Sequence, residues 1–192
     1  SRGLGDVYKR QTTFSVLVLL FNEQIGISES FRYGIFQTIS IITTTGFTIT
    51  ELDNMGILLP VLIMLLAFVG ACSGSVGGGI KAWRINILIR LAFDNITKIM
   101  HPTAVSTIKF NGEKIEQKQI ESVFSFVAIY VLIAILFLLA LMLQNIDFYS
   151  AFSAVSATLN NLGPGLGQFS DNYSSLEPAG KITLSLAMII GR

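Results

Sequence analysis

Apolar and polar residues of this chain fall into long blocks rather than into the close alternation of a soluble domain. A first apolar run at residues 14–21 is followed by four longer stretches: 31–42, 57–69, 120–143 and 148–159. Stretch 120–143 is long enough to cross a bilayer as a tilted helix. Stretches of about a dozen residues suit re-entrant segments better than full spans. The pattern therefore predicts membrane helices of two kinds, long and short.

Two polar, glycine-bearing segments interrupt this pattern where an apolar helix is expected. They are TTTGFT at residues 43–48 and NNLGPG at residues 160–165. Each follows a short apolar stretch and precedes another apolar segment. Non-helical backbone survives at membrane depth only where it is buried in protein or lines a water-filled path. The pair therefore predicts a pore or a transport site.

The two halves of the chain align as a repeat. In segments 31–46 and 148–163, a phenylalanine stands fifteen residues before a glycine. A proline, Pro60 in one half and Pro178 in the other, opens the next apolar helix, where its missing N–H is harmless. We predict two parallel copies of one unit: span, re-entrant helix, polar glycine strand and span.

Composition supports an integral membrane protein. Hydrophobic residues make up 52% of the chain and charged residues 13%, against about 25% charged residues in soluble domains. The net charge of +1 comes from segregated charges without a basic patch, so we expect no nucleic-acid partner. Cys72 is the only cysteine, which excludes an intrachain disulfide.

Basic residues concentrate in one connecting region, residues 81–118. The connections 22–30, 51–56, 144–147 and 170–177 carry acidic residues and no lysine or arginine. By the positive-inside rule, 81–118 is cytoplasmic and both glycine segments open to the outside. The basic residues are Lys81, Arg84, Arg90, Lys98, Lys109, Lys114 and Lys118.

Both ends of the sequence suggest a fragment of a longer protein. Residues 1–11 are polar, and we interpret them as a scar of cloning or sequence assembly. As a helix, residues 12–21 would span about 15 Å, roughly half a hydrocarbon core. Residues 178–192 are also too short to cross. The expected divisions are 12–90 for one repeat with a glycine-rich loop at 70–79, 91–118 for a cytoplasmic link, and 119–192 for the second repeat.

The glycine segments have the chemistry of an ion filter. A dehydrating cation needs oxygen ligands, and strands of backbone carbonyls supply them in potassium channels. Gly46 and Gly163 accept the positive φ that such strands need. Thr44 and Thr45 add hydroxyl ligands or brace the strand, while the C-terminal dipole of the preceding helix favours a cation by about 0.3–1 kcal/mol. The alternative is a pair of ordinary extracellular hairpin turns, which the recurrence within matched flanks disfavours.

A family resemblance rests on four segments: TTTGF, GACSGSVGGGIKAWRI, His101-Pro102 and ATLNNLGPGLG. Together they resemble the Trk/Ktr/HKT superfamily of potassium transporters, most of all the bacterial TrkH family of membrane subunits. The likeness covers nearly all of residues 12–192. Members of the superfamily have four repeats around one pore, and this chain resembles the third and fourth. The implied fold is an all-α polytopic membrane protein with two parallel span–pore helix–filter–span repeats, half of a four-repeat pore.

The resemblance implies potassium uptake across the plasma membrane, the inner membrane of a bacterium, with no enzymatic activity. The transported K⁺ is the only small ligand implied, and no covalent cofactor is expected. One glycine per strand predicts weaker discrimination between potassium and sodium than a filter with two. The implied filter residues are Thr44, Thr45, Gly46, Phe47, Asn161, Leu162, Gly163 and Pro164. The backbone carbonyls implied as potassium ligands are those of Thr45, Gly46, Leu162 and Gly163.

A glycine-rich stretch interrupts the apolar span before Lys81. Each glycine costs about 1 kcal/mol in a helix relative to alanine, so five within ten residues predict a break. The resemblance implies an intramembrane gate loop here, with Arg192 beside it. A charged side chain inside the membrane costs free energy and usually has a function. Close glycine packing between helices is the plain alternative. The implied gate residues are Gly70, Ser73, Gly74, Gly77, Gly78, Gly79 and Arg192.

Two enzymatic or nucleotide-binding alternatives are weaker. A phosphate loop needs lysine directly after glycine, but Ile80 separates Gly79 from Lys81. An intramembrane hydrolase would use Ser73 as its nucleophile, yet the only histidine, His101, falls in the predicted cytoplasmic link.

The basic region 81–118 has three possible roles. It is a solvated face on the inner side of the membrane, a contact for anionic lipid headgroups, or, by the resemblance, a docking surface for a cytosolic nucleotide-binding regulatory subunit of the TrkA type. The resemblance also implies a homodimer of the full-length protein. The sequence does not choose among these three roles.

Overall fold

The structure, a computed structural model, describes residues 12–13, 16–17, 26–48, 58–70, 78–101, 109–110, 113–170 and 172–192. Residues 12, 13, 16 and 17 are helical. Six further α-helices follow: α1 Ile27–Ile42, α2 Leu58–Val69, α3 Ala82–Met100, α4 Gln117–Met142, α5 Phe148–Leu159 and α6 Pro178–Gly191. A 3-10 turn covers Gly167–Phe169, and the short strands β1 Lys109–Phe110 and β2 Glu113–Lys114 pair antiparallel. The predicted all-α class is confirmed, with this small β pair as an addition.

Two helices begin earlier than the apolar pattern predicts. Helix α1 begins at Ile27 rather than at residue 31, because its first turn is polar and includes Glu29, which the helix dipole favours there. Helix α4 likewise starts with polar residues at Gln117, three positions before its apolar stretch. The predicted bounds of α5 agree with the structure, and Pro178 occupies the first turn of α6 as expected.

Helix α3 continues through the predicted boundary between residues 90 and 91. It ends at Met100, so the predicted link begins as helix. Its last turn contains Lys98, which forms an ion pair with Asp94 at 2.7 Å.

Among the described residues, one helix is long and apolar enough to cross a membrane by itself. This helix, α4, has 26 residues, about 39 Å at 1.5 Å per residue. Its exposed side chains are mainly large and apolar, among them Phe124, Ile129, Leu132 and Leu136. Helices α5 and α6 are apolar but shorter.

The short helix α5 lies at the centre of the second half. It packs against α2, α4 and α6, and nine of its twelve residues are buried. Serine and alanine dominate this helix, and small side chains allow close approach between membrane helices. Its hydroxyls donate to carbonyls of the same helix, for example Ser156 to Phe152 at 2.8 Å and Thr158 to Ala154 at 2.7 Å. A short helix enclosed by protein is the arrangement predicted for a re-entrant segment.

Candidate functional site: two matched turns and a glycine neck

The chain leaves both short helices through the same turn. Thr43 caps α1 with φ −81° and ψ −1°, and Asn160 caps α5 with φ −92° and ψ 0°. The next residue adopts the left-handed conformation in each case, with φ 55° at Thr44 and 54° at Asn161. The two turns therefore share their backbone conformation position by position.

The same two backbone hydrogen bonds close both turns. In the first, the N–H groups of Thr44 and Thr45 donate to the carbonyls of Ile41 and Ser40 at 3.0 and 2.8 Å. This is the Schellman motif, which satisfies carbonyls at a helix end and reverses the chain. The second turn repeats it, from Asn161 to Thr158 at 3.1 Å and from Leu162 to Ala157 at 2.7 Å.

Thr44 is an unusual residue for a left-handed position. Asparagine visits this region readily, whereas L-residues in general lose about 1–2 kcal/mol there, and β-branched side chains are rare exceptions. The neighbouring side chains hold the turn: Thr43 Oγ1 lies 2.7 Å from Thr45 Oγ1 and donates to the Ile39 carbonyl at 2.7 Å. Thr45 is thus a brace in this structure. The sequence predicted a positive φ at the glycines alone, and the positive φ of Thr44 and Asn161 was not predicted.

Gly46 and Gly163 have φ values of 78° and 100°. A Cβ on Gly46 would overlap the Leu162 carbonyl oxygen and lie 3.2 Å from Pro164 Cδ. A Cβ on Gly163 would meet nothing within 4 Å. The structure therefore brings the two glycine segments together at Gly46 and Leu162. Gly46 has no room for a side chain, whereas only its backbone conformation restricts Gly163.

Hydroxyl groups brace the strands that follow. In the first segment, Ser40 Oγ donates to the Phe47 carbonyl at 2.7 Å, while the Phe47 side chain is exposed. In the second, Ser153 Oγ accepts from the Leu166 N–H at 2.9 Å. Tyr173 Oη donates to the Gly163 carbonyl at 3.2 Å. The roles of Ser40, Ser153 and Tyr173 were not predicted from the sequence.

The described ends of the glycine-rich stretch meet each other. Helix α2 ends at Val69, and Gly70 has φ 68°. A Cβ on Gly70 would lie 3.0 Å from the Gly78 carbonyl oxygen, and the Ile80 N–H donates to the Phe68 carbonyl at 3.0 Å. Residues 70 and 78–81 form what we call the neck, and they interrupt the helix as predicted. Three predicted gate residues lie outside the described residues: Ser73, Gly74 and Gly77.

The neck contacts the C-terminal end of α5 through Asn160. A Cβ on Gly78 would lie 2.9 Å from the Asn160 carbonyl carbon and oxygen, and one on Gly79 would lie 2.9 Å from Asn160 Oδ1. Asn160 is fully buried, and its Nδ2 donates to the Ser156 carbonyl at 2.7 Å. Its Oδ1 accepts from Tyr130 Oη at 3.1 Å. Asn160 therefore joins the second turn, the neck and α4.

Neither Asn160 nor Tyr130 was among the predicted site residues. The available signal for Asn160 was a polar amide directly after an apolar helix. Tyr130 lies inside an apolar stretch, and its partner is 30 residues away. Helical periodicity gives no information about such a pair.

Arg192 follows a close helix contact at the same end of α5. A Cβ on Gly191 would overlap the Leu159 carbonyl oxygen, next to the residue that contacts the neck. Asn161 Nδ2 donates to the Met188 carbonyl at 3.4 Å, a second link to α6. The Arg192 side chain itself is exposed.

Partial negative charge gathers where the two glycine segments meet, which favours a cation there. The C-terminal ends of α1 and α5 meet at the glycine segments, and both carry partial negative charge. Within the described ranges, no group of three or more His, Cys, Asp or Glu side chains is placed to hold a metal ion.

Comparison with known proteins gives consistent matches. The model of the TrkH family, described as a cation transport protein, matches residues 13–192. The chain is 41% identical over 157 residues to the Trk system potassium uptake protein TrkH of Escherichia coli (strain K12), covering 82% of this chain and 32% of that protein. It is 31% identical over 163 residues to the Trk system potassium uptake protein TrkG of the same strain, covering 85% of this chain and 34% of that protein.

A solved structure matches the whole described architecture. The crystal structure of the potassium transporter TrkH from Vibrio parahaemolyticus has a TM-score of 0.90 and 36% sequence identity to this chain. The match covers 99% of this chain and 41% of that protein. The chain spans about a third of the length of the curated relatives it matches.

Proposed function

Because this chain belongs to the TrkH family of cation transport proteins, we propose that it forms part of a pore for potassium uptake across the plasma membrane. The observation that carries the proposal is the pair of matched turns, which bring Gly46 against the Leu162 carbonyl. The names of the relatives as potassium uptake proteins support it. The polytopic, all-helical fold is the fold of the family.

In this proposal, backbone carbonyls of the two glycine segments replace water around K⁺. The ligands are the carbonyls of Thr45 and Gly46 in one strand and of Leu162 and Gly163 in the other. An inside-negative potential drives entry by about 2.3 kcal/mol per 100 mV for each charge, so no covalent chemistry is needed. Thr44 and Asn161 supply neighbouring backbone carbonyls, and Phe47 and Pro164 complete the two filter segments.

A glycine comparison tests the filter. Gly163 and Gly26 both have open space where a Cβ would lie, but φ is 100° at Gly163 and −64° at Gly26. Gly163→Ala therefore strains the strand by about 1–2 kcal/mol and displaces its carbonyl, whereas Gly26→Ala serves as the matched control. We expect the full-length protein in potassium-uptake-deficient cells to lose rubidium uptake or potassium preference only with Gly163→Ala. Equal uptake and equal preference in both variants would contradict the proposal.

The neck supports a gate in the adjacent glycine-rich loop, residues 70–79. Its described glycines lie against Asn160, the first residue of the second glycine segment, so a shift of the neck would act on the base of the filter. Arg192, which follows the contact of Gly191 with Leu159, would stand beside this gate. Weak discrimination against sodium belongs to the same proposal, and flux measurements that show stringent sodium exclusion would contradict it.

The topology and the partners complete the proposal. We place residues 81–118 on the cytoplasmic side, where a TrkA-type nucleotide-binding subunit docks on the full-length protein and a second copy completes a homodimer. Co-purification with and without charge reversal at Arg90 and Lys98 tests the docking. A hydrolase is not proposed: His101 is exposed at the end of α3, Ser73 lies outside the described residues, and the relatives named above are transporters.

A further inference from the structure

Tyr173 holds the carbonyl of the second filter glycine from outside the turn. Its hydroxyl donates to the Gly163 carbonyl at 3.2 Å. Its ring stacks on Phe169 with centroids 5.2 Å apart and planes 15° apart, and Phe169 is fully buried. A Cβ on Gly165 would lie 3.0 Å from the Tyr173 hydroxyl. The phenol is therefore fixed between a buried ring and the strand itself.

The first filter segment is braced at a different residue. There Ser40 donates to the carbonyl of Phe47, one residue after the glycine. Within the part of the chain that the structure describes, Gly46 has no such donor on its carbonyl. The two strands are matched in their turns but differ in which carbonyl is already engaged by a protein donor.

We propose that Tyr173 is a positioning residue for ion selectivity, holding the Gly163 carbonyl at a fixed orientation and a reduced ligand strength. The inference rests on the proposed filter function. A carbonyl oxygen has two lone pairs, so one donor leaves a second for an ion. Selectivity between potassium and sodium depends on the number, field strength and freedom of the coordinating carbonyls. A carbonyl tied to Tyr173 cannot turn inward to follow the smaller sodium ion.

The test is Tyr173→Phe in the full-length protein, which removes one hydroxyl and keeps the stacked ring. We expect the potassium-to-sodium preference to fall about fivefold, the equivalent of about 1 kcal/mol for one hydrogen bond. Competition between sodium and rubidium for uptake gives the ratio, and potassium and sodium binding to purified protein gives a readout independent of transport. Tyr33→Phe is the matched control, since the Tyr33 hydroxyl makes no hydrogen bond within the described residues, and it keeps the wild-type ratio.

The outcomes separate this inference from the proposed function. An unchanged ratio in Tyr173→Phe, together with loss of uptake in Gly163→Ala, overturns the inference and leaves the filter in place. Absence of potassium transport by the wild-type protein overturns both. Failure of Tyr173→Phe to accumulate in the membrane also overturns the inference, because the hydroxyl would then support folding rather than ion selection.

Discussion

Removing the hydroxyl of Tyr130 isolates one buried hydrogen bond behind the second turn. Tyr130 Oη donates to Asn160 Oδ1 at 3.1 Å, and Asn160 is fully buried. Phenylalanine keeps the ring, which packs edge-on against Phe68 at 6.2 Å and stacks on Phe126 at 6.1 Å. Tyr130→Phe therefore deletes a donor and leaves the packing of the aromatic rings intact.

The magnitude follows from what remains around Asn160. A buried acceptor without its donor costs about 1–3 kcal/mol, while hydrogen bonds between membrane helices average about 0.6 and reach about 1.7 kcal/mol. Asn160 stays anchored to Ser156 through Nδ2, and its complete burial leaves water little access to Oδ1. Tyr130→Phe should therefore lower the free energy of unfolding by about 1.5 kcal/mol, toward the upper end of the range for membrane helices.

Denaturant titration of the full-length protein in mild detergent measures this loss. Combination with Asn160→Ala forms a double-mutant cycle, and we expect a coupling of about 1 kcal/mol because the second change removes the same bond. Tyr33→Phe should change stability little. Additivity of Tyr130→Phe and Asn160→Ala within about 0.3–0.5 kcal/mol, the range for independent sites, would refute the reasoning.

Three further predictions concern the turns, the neck and a helix cap. Thr44→Gly should stabilise the full-length protein by about 1 kcal/mol because it relieves a left-handed β-branched residue. Asn161→Gly should bring no such gain, because asparagine tolerates this conformation and its hydrogen bond to the Met188 carbonyl is lost. Equal effects of the two changes in unfolding titrations would argue against strain at Thr44. Gly78→Ala should change open probability in liposome flux, since its Cβ meets the Asn160 backbone; unchanged flux would favour simple packing. The hydrogen bond from the Ser150 N–H lowers the pKa of Asp147, so this helix cap stabilises the fold above the unfolded pKa of about 3.9 and loses its effect as pH falls through the lower folded pKa. Asp147→Ala should therefore lower the free energy of unfolding by about 1 kcal/mol at pH 7 and by less in acid. A loss of stability that does not change with pH would contradict this.

Local sequence predicted the parts of the site that depend on neighbouring residues. The bounds of α5, the interruption at Gly70 and the positive φ of Gly46 and Gly163 all follow from block pattern and glycine chemistry. Thr44 escaped because its conformation is imposed by the Schellman turn against its own preference. The glycine two residues later, Gly46, did not indicate that Thr44 also has a positive φ.

The parts of the site that were missed depend on contacts between distant residues. Tyr130 reaches Asn160 from another helix, and Tyr173 reaches Gly163 from the loop before α6. Tyrosine in an apolar stretch and tyrosine in a polar loop look ordinary in sequence. Only the packed structure shows that each hydroxyl donates to a group in the second glycine segment.

The closure of both turns by hydrogen bonds within six residues has a consequence for biosynthesis. Each turn can form as soon as its own short helix exists, because its bonds need no distant partner, and local contacts form fastest. The contact of Gly46 with Leu162 joins residues far apart in sequence and must wait for the second half to be made. Each turn is therefore shaped before Gly46 and Leu162 meet, and their contact forms after both turns exist.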